Sequence, residues 1–435
     1  MKAVIMAGGK GTRLLSLTND EIPKPMAVVA GKPILHWQIE KLKENGIDEI
    51  VLVTGHLKEK IIDYFKDGSG FSVKIDYINE EKPLGSAGSL SMLKPHLDDE
   101  DFLLLFGDVL FDIDIGRMID FHRDRNAFIT LFAHPNAHPY DSDLIITDEN
   151  DRALRFDSKH NVRNYWYENL VNAGFYIMNR NVCDYVPFDT KTDLEKDLIP
   201  SVISDNKDVY AYRSSEYIKD VGTVERIQKA EEEINHRLPQ ERCLKNRQKA
   251  VFLDRDGTIN KENGLVYKEE QFELEDWAAE AIRMINESGY LTVVITNQPV
   301  VARGLCDIAD VVNIHHKMET QLGEKGAYLD DIRFCPHHPD KGYPEENPLY
   351  KVKCHCRKPD IGMIEESADK FNIDLTRSWF VGDSTVDVMT GKNAGTKTIL
   401  LESGVGGSDA KYDVKPDHIC DNLLEAVKLI IGEIK

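Results

Sequence analysis

The chain has 435 residues, 41% of them hydrophobic and 30% charged, with a formal net charge of −21. That length exceeds what one ordinary core organises, so two domains are expected. Such acidity argues against a nucleic-acid partner, because phosphate backbones attract basic surfaces. Phosphates can still be bound locally, through basic side chains, backbone N–H groups or Mg²⁺. Of the seven cysteines four stand singly, which suits a reducing compartment with one local metal site better than a disulfide framework. Glycines cut the apolar run of "MKAVIMAGGKG" too early for a signal peptide or membrane span, so a cytoplasmic protein with no membrane partner is expected.

In chain order, "KAVIMAG" reads as a buried strand. "PILHWQIEKLKENG" then puts Leu35, Ile39 and Leu42 on one helical face and stops at Gly46. "EIVLVTG" is the next strand, and "DFLLLFGD" is apolar enough to lie inside a parallel sheet. A charged helix, "TVERIQKAEEEINHR", closes the series, and "LPQERCLKNRQK" follows without an apolar period. A second series begins at "KAVFLDRDG" and continues through "WAAEAIRMINESG", "YLTVVITN", "SWFVGDS" and "TKTILLES". The pattern predicts two doubly wound α/β domains, at 1–236 and 250–435, joined by a linker at 237–249.

The first glycine-rich turn, "AGGKGTRL", carries Gly8, Gly9 and Gly11, whose N–H groups can ring phosphate oxygens, and Arg13, which can clamp them. It is neither a Walker A loop nor a G-x-G-x-x-G motif, and alone it is equally an ordinary strand–helix turn. Further along come Lys24 in "PKPM", a second glycine turn "PLGSAGSL" with Gly85 and Gly88, Asp108 at a strand end, "VNAGFYIM" with Asn172, and Asp220 in "KDVG". This ordered set resembles the sugar-1-phosphate nucleotidylyltransferases, over nearly all of residues 1–235, and implies a Rossmann-like nucleotidyltransferase sheet. The resemblance implies that a sugar phosphate attacks the α-phosphorus of a nucleoside triphosphate. Asp108 and Asp220 would hold Mg²⁺, Arg13 would grip the triphosphate and Lys24 would stabilise the transferring groups. Gly8, Gly9, Gly11, Gly85, Gly88 and Asn172 would border the substrates. "LSLT" and "WYENLVNAG" depart from the usual family strings, so the sugar contact stays open.

In the second half, "VFLDRDGTIN" sets Asp254 and Asp256 two residues apart at a strand end, where like charges need a cation or a shared proton. "VVITNQ" supplies Thr296, Asn297 and Gln298, "CRKPD" supplies Arg357 and Lys358, and "FVGDSTVD" supplies Asp383 and Asp387. Together these resemble a haloacid-dehalogenase-type phosphatase. The resemblance makes Asp254 the nucleophile, Asp256 the general acid and base, and Thr296 and Lys358 the phosphoryl-binding groups. Mg²⁺ would sit between Asp254, the backbone carbonyl of Asp256 and Asp383, with Asp387 orienting its shell. Asn297, Gln298, Arg303 and Arg357 would meet the substrate.

Cys335, His337, Cys354 and Cys356 offer one nitrogen and three sulfurs, a set that suits tetrahedral Zn²⁺ with no open position, so a structural zinc beside Lys358 is expected. His338 and His355 are alternates. The zinc loop resembles the phosphatase subgroup containing the histidinol-phosphate and heptose-bisphosphate phosphatases, with "QPVVARG" departing from it. Joined to a half that resembles the heptose-1-phosphate guanylyltransferases, it implies a bifunctional enzyme. The 7-phosphate of a heptose 1,7-bisphosphate would be removed, and the heptose 1-phosphate coupled to a nucleotide, GTP being the expected donor. Two alternatives stand beside this: hexose 1-phosphate with another phosphomonoester, or one half that is a non-catalytic module.

Overall fold

The structure, a computed structural model, describes residues 1–9, 21–97, 101–342 and 345–433. It divides into two compact units. One comprises Met1–His134, Asp143–Ser158 and Val171–Lys245, and the other Pro135–Ser142, Lys159–Leu170 and Asn246–Lys435. Among the described residues no helix is long and apolar enough to cross a membrane.

The first unit opens with β1 (Ala3–Met6), α1 (Ile34–Glu44), β2 (Glu49–Thr54), α2 (Lys58–Phe65), β3 (Lys74–Asn79) and β4 (Asp101–Phe106). Leu35, Ile39 and Leu42 form the buried face of α1, Lys41 and Lys43 sit in its last turn where the helix dipole favours cations, and Gly46 follows at φ 76°. Next come β5 (Val109–Asp112), α3 (Ile115–Asp124), β6 (Ile129–His134), β7 (Leu144–Thr147), β8 (Ala153–Asp157) and β9 (Val171–Asn179). The unit ends with α4 (Ile199–Ser204), β10 (Val209–Arg213), β11 (Tyr217–Asp220), α5 (Val224–Asn235) and α6 (Leu238–Arg242).

Its sheet runs β8-β7-β9-β4-β1-β2-β3, with β6 also on β9 and β10 on β6. β1 lies parallel to β2 and to β4, while β9 is antiparallel to β4, so the sheet is mixed rather than all-parallel. Phe102 to Leu105 are buried on both faces even so. Apolarity reports two covered faces, not strand direction. The stretch expected as a linker holds α6, with Cys243 and Leu244 buried, and the Leu244 N–H donates to Glu216 Oε1 at 2.9 Å. A short amphipathic turn followed by two apolar residues packs without showing a readable period.

The second unit follows βαβ winding. In order it has β12 (Ala250–Leu253), α7 (Ala278–Glu287), β13 (Leu291–Asn297), α8 (Ile308–Glu324), β14 (Asp331–Cys335), α9 (Gly362–Phe371), β15 (Trp379–Gly382), α10 (Thr385–Ala394), β16 (Lys397–Leu401), β17 (His418–Cys420) and α11 (Leu423–Gly432). The sheet order is β14-β13-β12-β15-β16-β17, every pair parallel. The carboxyl ends of β12, β13 and β15 therefore lie side by side, the place where open α/β sheets bind ligands. Residues 159–170 pack within this unit: the Tyr167 N–H donates to Thr320 Oγ1 at 3.0 Å and the Trp166 indole to Glu269 at 2.8 Å.

Candidate active sites

In the first unit the sheet's carboxyl edge gathers the expected residues that are described; Gly11 and Arg13 lie outside the described residues. Gly8 and Gly9 follow β1, and Lys24 Nζ pairs with the Asp108 carboxylate just past β4. The strands β5 and β11 pair antiparallel, and the Val221 N–H donates to the Asp108 carbonyl at 2.9 Å, which brings the two aspartates' backbones together. The Asp220 carboxylate takes the Gly222 N–H at 2.7 Å and pairs with Arg226 in the first turn of α5. Each aspartate thus already has a basic partner, and Arg226 carried no motif signal.

Gly85 and Gly88 meet backbone. A Cβ at Gly85 would stand 2.5 Å from the Thr192 carbonyl oxygen, and one at Gly88 2.5 Å from that of Thr190. The Ala87 N–H donates to Thr192 (3.0 Å) and the Leu194 N–H to Ser86 Oγ (2.8 Å), so the second glycine turn is zipped to residues 190–194. That packing by itself requires glycine at both positions. Asn172, at the start of β9, donates through Nδ2 to Tyr176 Oη at 2.7 Å and to Glu195 Oε1 at 3.3 Å. Burial pushes the Glu195 carboxyl up to about 7.

Glu80 was not signalled by any motif. A Cβ on Gly8 would sit 2.5 Å from Glu80 Oε2, so glycine there admits a carboxylate beside the loop. Its Oε1 is buried and has no hydrogen-bond partner among the described residues. Burial raises its pKa, with Ser89 pulling the other way. An unpartnered buried carboxylate oxygen is costly unless a ligand supplies donors. The sequence signal, an acidic pair just before the second glycine turn, is legible only in hindsight.

In the second unit β12, β15 and α10 converge on Asp254, Asp383 and Asp387, whose carboxylate oxygens lie within 4.8 Å of one another. Asp387 owes its place to local sequence. Ser384 and Asp387 form a capping box on α10, with the Asp387 N–H donating to Ser384 Oγ at 3.3 Å and Ser384 Oγ to Asp387 Oδ2 at 2.5 Å. Asp383 is framed by Gly257 (φ 74°) and Gly404 (φ 64°), where a Cβ would come within 2.1 Å of Asp383 Oδ2. Lys358 Nζ, 5% exposed as a residue, reaches Asp254 Oδ1 at 2.9 Å and Asp387 Oδ1 at 2.6 Å. Three carboxylates against one ammonium leave excess negative charge. Burial, then Asp254 and Asp387, push Asp383 up to about 8, and burial followed by Asp387 raises Asp254. The site has the donor chemistry of a divalent-cation site.

The Asp256 carboxylate is turned away from that cluster. Fully buried Arg255 grips both its oxygens through Nη2 at 2.8 and 2.9 Å, and Asn260 (3.0 Å) and Gln298 (2.8 Å) also donate to it. Behind Arg255, Nη1 donates to His315 Nε2 at 3.2 Å; burial and the guanidinium hold that imidazole neutral. Any share of Asp256 in a cation site falls to its backbone carbonyl. Gln298 also donates to buried Thr296 Oγ1 at 2.9 Å, so it holds Asp256 and Thr296 rather than standing free. Asn297 likewise spends its amide on the Lys358 backbone, accepting from its N–H at 3.0 Å and donating to its carbonyl at 3.2 Å. Arg255, His315 and the supporting role of Asn297 were not legible, because each acts through a tertiary neighbour.

Cys335, His337, Cys354 and Cys356 converge next to Lys358. Their sulfurs stand 3.5, 3.3 and 3.2 Å apart, and His337 Nδ1 lies 3.3 Å from Cys356 Sγ. All are free thiols. A tetrahedral ion with metal–sulfur bonds of about 2.3 Å sets sulfurs roughly 3.7 Å apart, so the cage fits such an ion after slight expansion. His338 Nδ1 accepts from the Asp340 N–H (3.2 Å) and His355 meets Glu365 (2.6 Å), so neither joins it. Arg357 donates to the His337 carbonyl at 2.9 Å; burial pulls its guanidinium below the ordinary range, with Cys335 and Cys354 opposing and Arg303 adding to the shift.

Residues 2–237 match the family described as nucleotidyl transferase, more than half of the chain. The chain belongs to the nucleotidyl transferase family. Residues 355–426 match the HAD-hydrolase-like family. The nucleotidyl transferase half is 35% identical, over 52% of this chain, to a UTP–glucose-1-phosphate uridylyltransferase from Synechocystis, and 61% of that relative's length is spanned. It is 32% identical to a D-glycero-alpha-D-manno-heptose 1-phosphate guanylyltransferase from Aneurinibacillus thermoaerophilus, over 54% of this chain and 99% of that one. The other half is 36% identical to a D-glycero-beta-D-manno-heptose-1,7-bisphosphate 7-phosphatase from Haemophilus ducreyi, over 42% of this chain and 98% of that one. The chain therefore fuses two enzyme families, a nucleotidyl transferase and a heptose-bisphosphate-phosphatase-like HAD hydrolase.

Proposed function

We propose that this is a bifunctional enzyme of activated-heptose synthesis. The HAD-type half removes the 7-phosphate of D-glycero-D-manno-heptose 1,7-bisphosphate. The nucleotidyl transferase half then joins the heptose 1-phosphate to GMP from GTP, releasing pyrophosphate. The observation that carries the reading is the carboxylate cluster around Lys358 in a chain whose other half is a nucleotidyl transferase, since the first reaction's product is the second's substrate class. The names of the heptose-specific relatives favour heptose in both halves.

In the hydrolase half, Asp254 attacks the phosphoryl group to give an aspartyl-phosphate. Lys358 and Thr296 neutralise its oxygens. Asp256 must leave its clamp on Arg255 to hand a proton to the leaving oxygen and then take one from water. Asp254, Asp383 and the Asp256 carbonyl would hold Mg²⁺, which would supply neutralisation of the phosphate charge. In the transferase half Asp108 and Asp220 would hold a second Mg²⁺, and Lys24, which pairs with Asp108, would stabilise the transferring phosphate charge. Glu80 supports guanine: its buried, unpartnered Oε1 and the Oε2 beside Gly8 can accept the two N–H donors on that base's edge, which adenine cannot supply. Zn²⁺ in the cysteine–histidine cage would fix the loop that ends at Lys358.

The test is incubation of the whole chain with heptose 1,7-bisphosphate, Mg²⁺ and each NTP in turn. Phosphate, pyrophosphate and GDP-heptose are expected; neither phosphate release nor a sugar nucleotide would overturn the reading. A hexose reading of the transferase half is favoured by its similarity to the uridylyltransferase, and mannose and glucose 1-phosphates in the same assay separate the two. A zinc chelator should lower phosphate release at least about tenfold with nucleotidyl transfer retained; equal loss of both would refute a zinc role confined to the hydrolase.

A further inference from the structure

Resting on that reading of the transferase site, we infer that Glu195 is a positioning residue that dictates which way the Asn172 amide faces the sugar phosphate. The argument runs through donors and acceptors. An ionised carboxylate only accepts, so Glu195 Oε1 takes the Tyr176 O–H at 2.9 Å. With its proton committed there, the Tyr176 oxygen is free to accept, and it takes Asn172 Nδ2 at 2.7 Å. The same Nδ2 also points at Glu195 Oε1, 3.3 Å away. A flipped amide would set the Asn172 carbonyl oxygen against a carboxylate and against an oxygen whose proton is already spent. With Glu195 ionised, as at a pH above its raised value of about 7, the network permits one orientation only.

That orientation leaves Asn172 Oδ1 buried with no hydrogen-bond partner among the described residues. A buried, unpaired amide oxygen costs stability unless a ligand donor meets it. β9 runs antiparallel to β4, so its first residues lie toward the end of β4 that leads into Asp108. A sugar 1-phosphate presents several hydroxyl donors and phosphates present acceptors only; the nucleotide's own donors, on its ribose and base, are told apart by separate KM values for the sugar phosphate and the NTP. The acceptor at Asn172 is therefore suited to a hydroxyl of the sugar 1-phosphate. Glu195 touches neither substrate in this scheme. Its carrier segment, residues 190–195, is the one zipped to the second glycine turn, which holds the carboxylate in register with the site.

The test is steady-state nucleotidyl transfer by the full chain at pH 8, with heptose 1-phosphate and mannose 1-phosphate as probes. Glu195→Leu should raise KM for the sugar phosphate about tenfold, the loss of roughly one well-made hydrogen bond, with KM for the NTP and kcat within about threefold. Glu195→Gln keeps an acceptor oxygen and should stay within about threefold of the parent. Combining Glu195→Leu with Asn172→Ala should add nothing beyond the single changes, because both remove one interaction. Tyr176→Phe, which cuts the O–H relay, carries the same expectation if Glu195→Leu does not fold; a retained kcat and a retained KM for the NTP in the same variant report that the transferase unit is folded. Equal rises in both KM values, full loss in Glu195→Gln, or multiplicative losses in the double variant would overturn the role of Glu195. A parent chain that makes no sugar nucleotide from either probe would overturn the underlying site reading as well.

Discussion

In the hydrolase half two of three clustered carboxylates, Asp254 and Asp387, share one buried lysine and Asp383 has no basic partner among the described residues, whereas in the transferase half Asp108 and Asp220 each have a basic side chain of their own, Lys24 and Arg226. The first arrangement is charge-deficient and buried, so a cation is needed for it to stay ionised at neutral pH. The second is neutralised pair by pair, and a metal there has to displace a partner or bind beside it. Two phosphate-handling sites in one chain thus differ in how far they are built before ligand arrives.

The sharpest break between them should come from single aspartates. Asp254→Asn is expected to lower phosphate release by at least about a thousandfold while nucleotidyl transfer is unchanged, and Asp108→Asn to do the reverse. Parallel assays of both products check this; a variant that loses both activities while folded would erase the distinction.

Removing the shared cation should be nearly as severe. Lys358→Met leaves Asp254 and Asp387 buried without their partner, a loss of roughly 3–5 kcal/mol of stability in the hydrolase unit. Denaturant unfolding measures it, and an unchanged midpoint would mean that the carboxylates are protonated instead. In the transferase half, Glu80→Gln replaces one acceptor by a donor, and preference for GTP over ATP should fall about tenfold to a hundredfold in kcat/KM.

The smallest effect concerns pH. Asp383 has its pKa raised to about 8 and Asp254 is raised too, so the folded state binds protons that the unfolded chain has released above its ordinary carboxylate range. Without Mg²⁺ this contribution to stability is greatest near pH 4 and declines as pH rises toward 8. Added Mg²⁺ should therefore raise the melting temperature more at pH 8 than at pH 5, by about 5 °C or more. Equal shifts at the two pH values would remove the charge-deficiency argument.

Much of each site was visible before folding was considered, for a local reason. Asp254, Asp256, Asp383 and Asp387 sit in short strings at strand ends, and a capping box places Asp387 through residues three apart. The thiol pair Cys354 and Cys356 is likewise local. Arg226, Glu80, Glu195 and His315 were not visible, since each acts on a residue far away in the chain and no spacing rule links them. Asn297 and Gln298 were recognised as site residues, yet their contacts run to Lys358, Asp256 and Thr296.

Hydrophobic period and glycine punctuation by themselves determined two α/β halves and the strand ends that carry the acids, because those features follow from neighbours a few residues apart. Tertiary structure alone decided the antiparallel entry of β9, the packing of residues 159–170 with the second unit, the clamp on Asp256 and the sharing of Lys358. These depend on which distant groups meet in a buried space, where every charge and every hydrogen-bonding atom must find its partner.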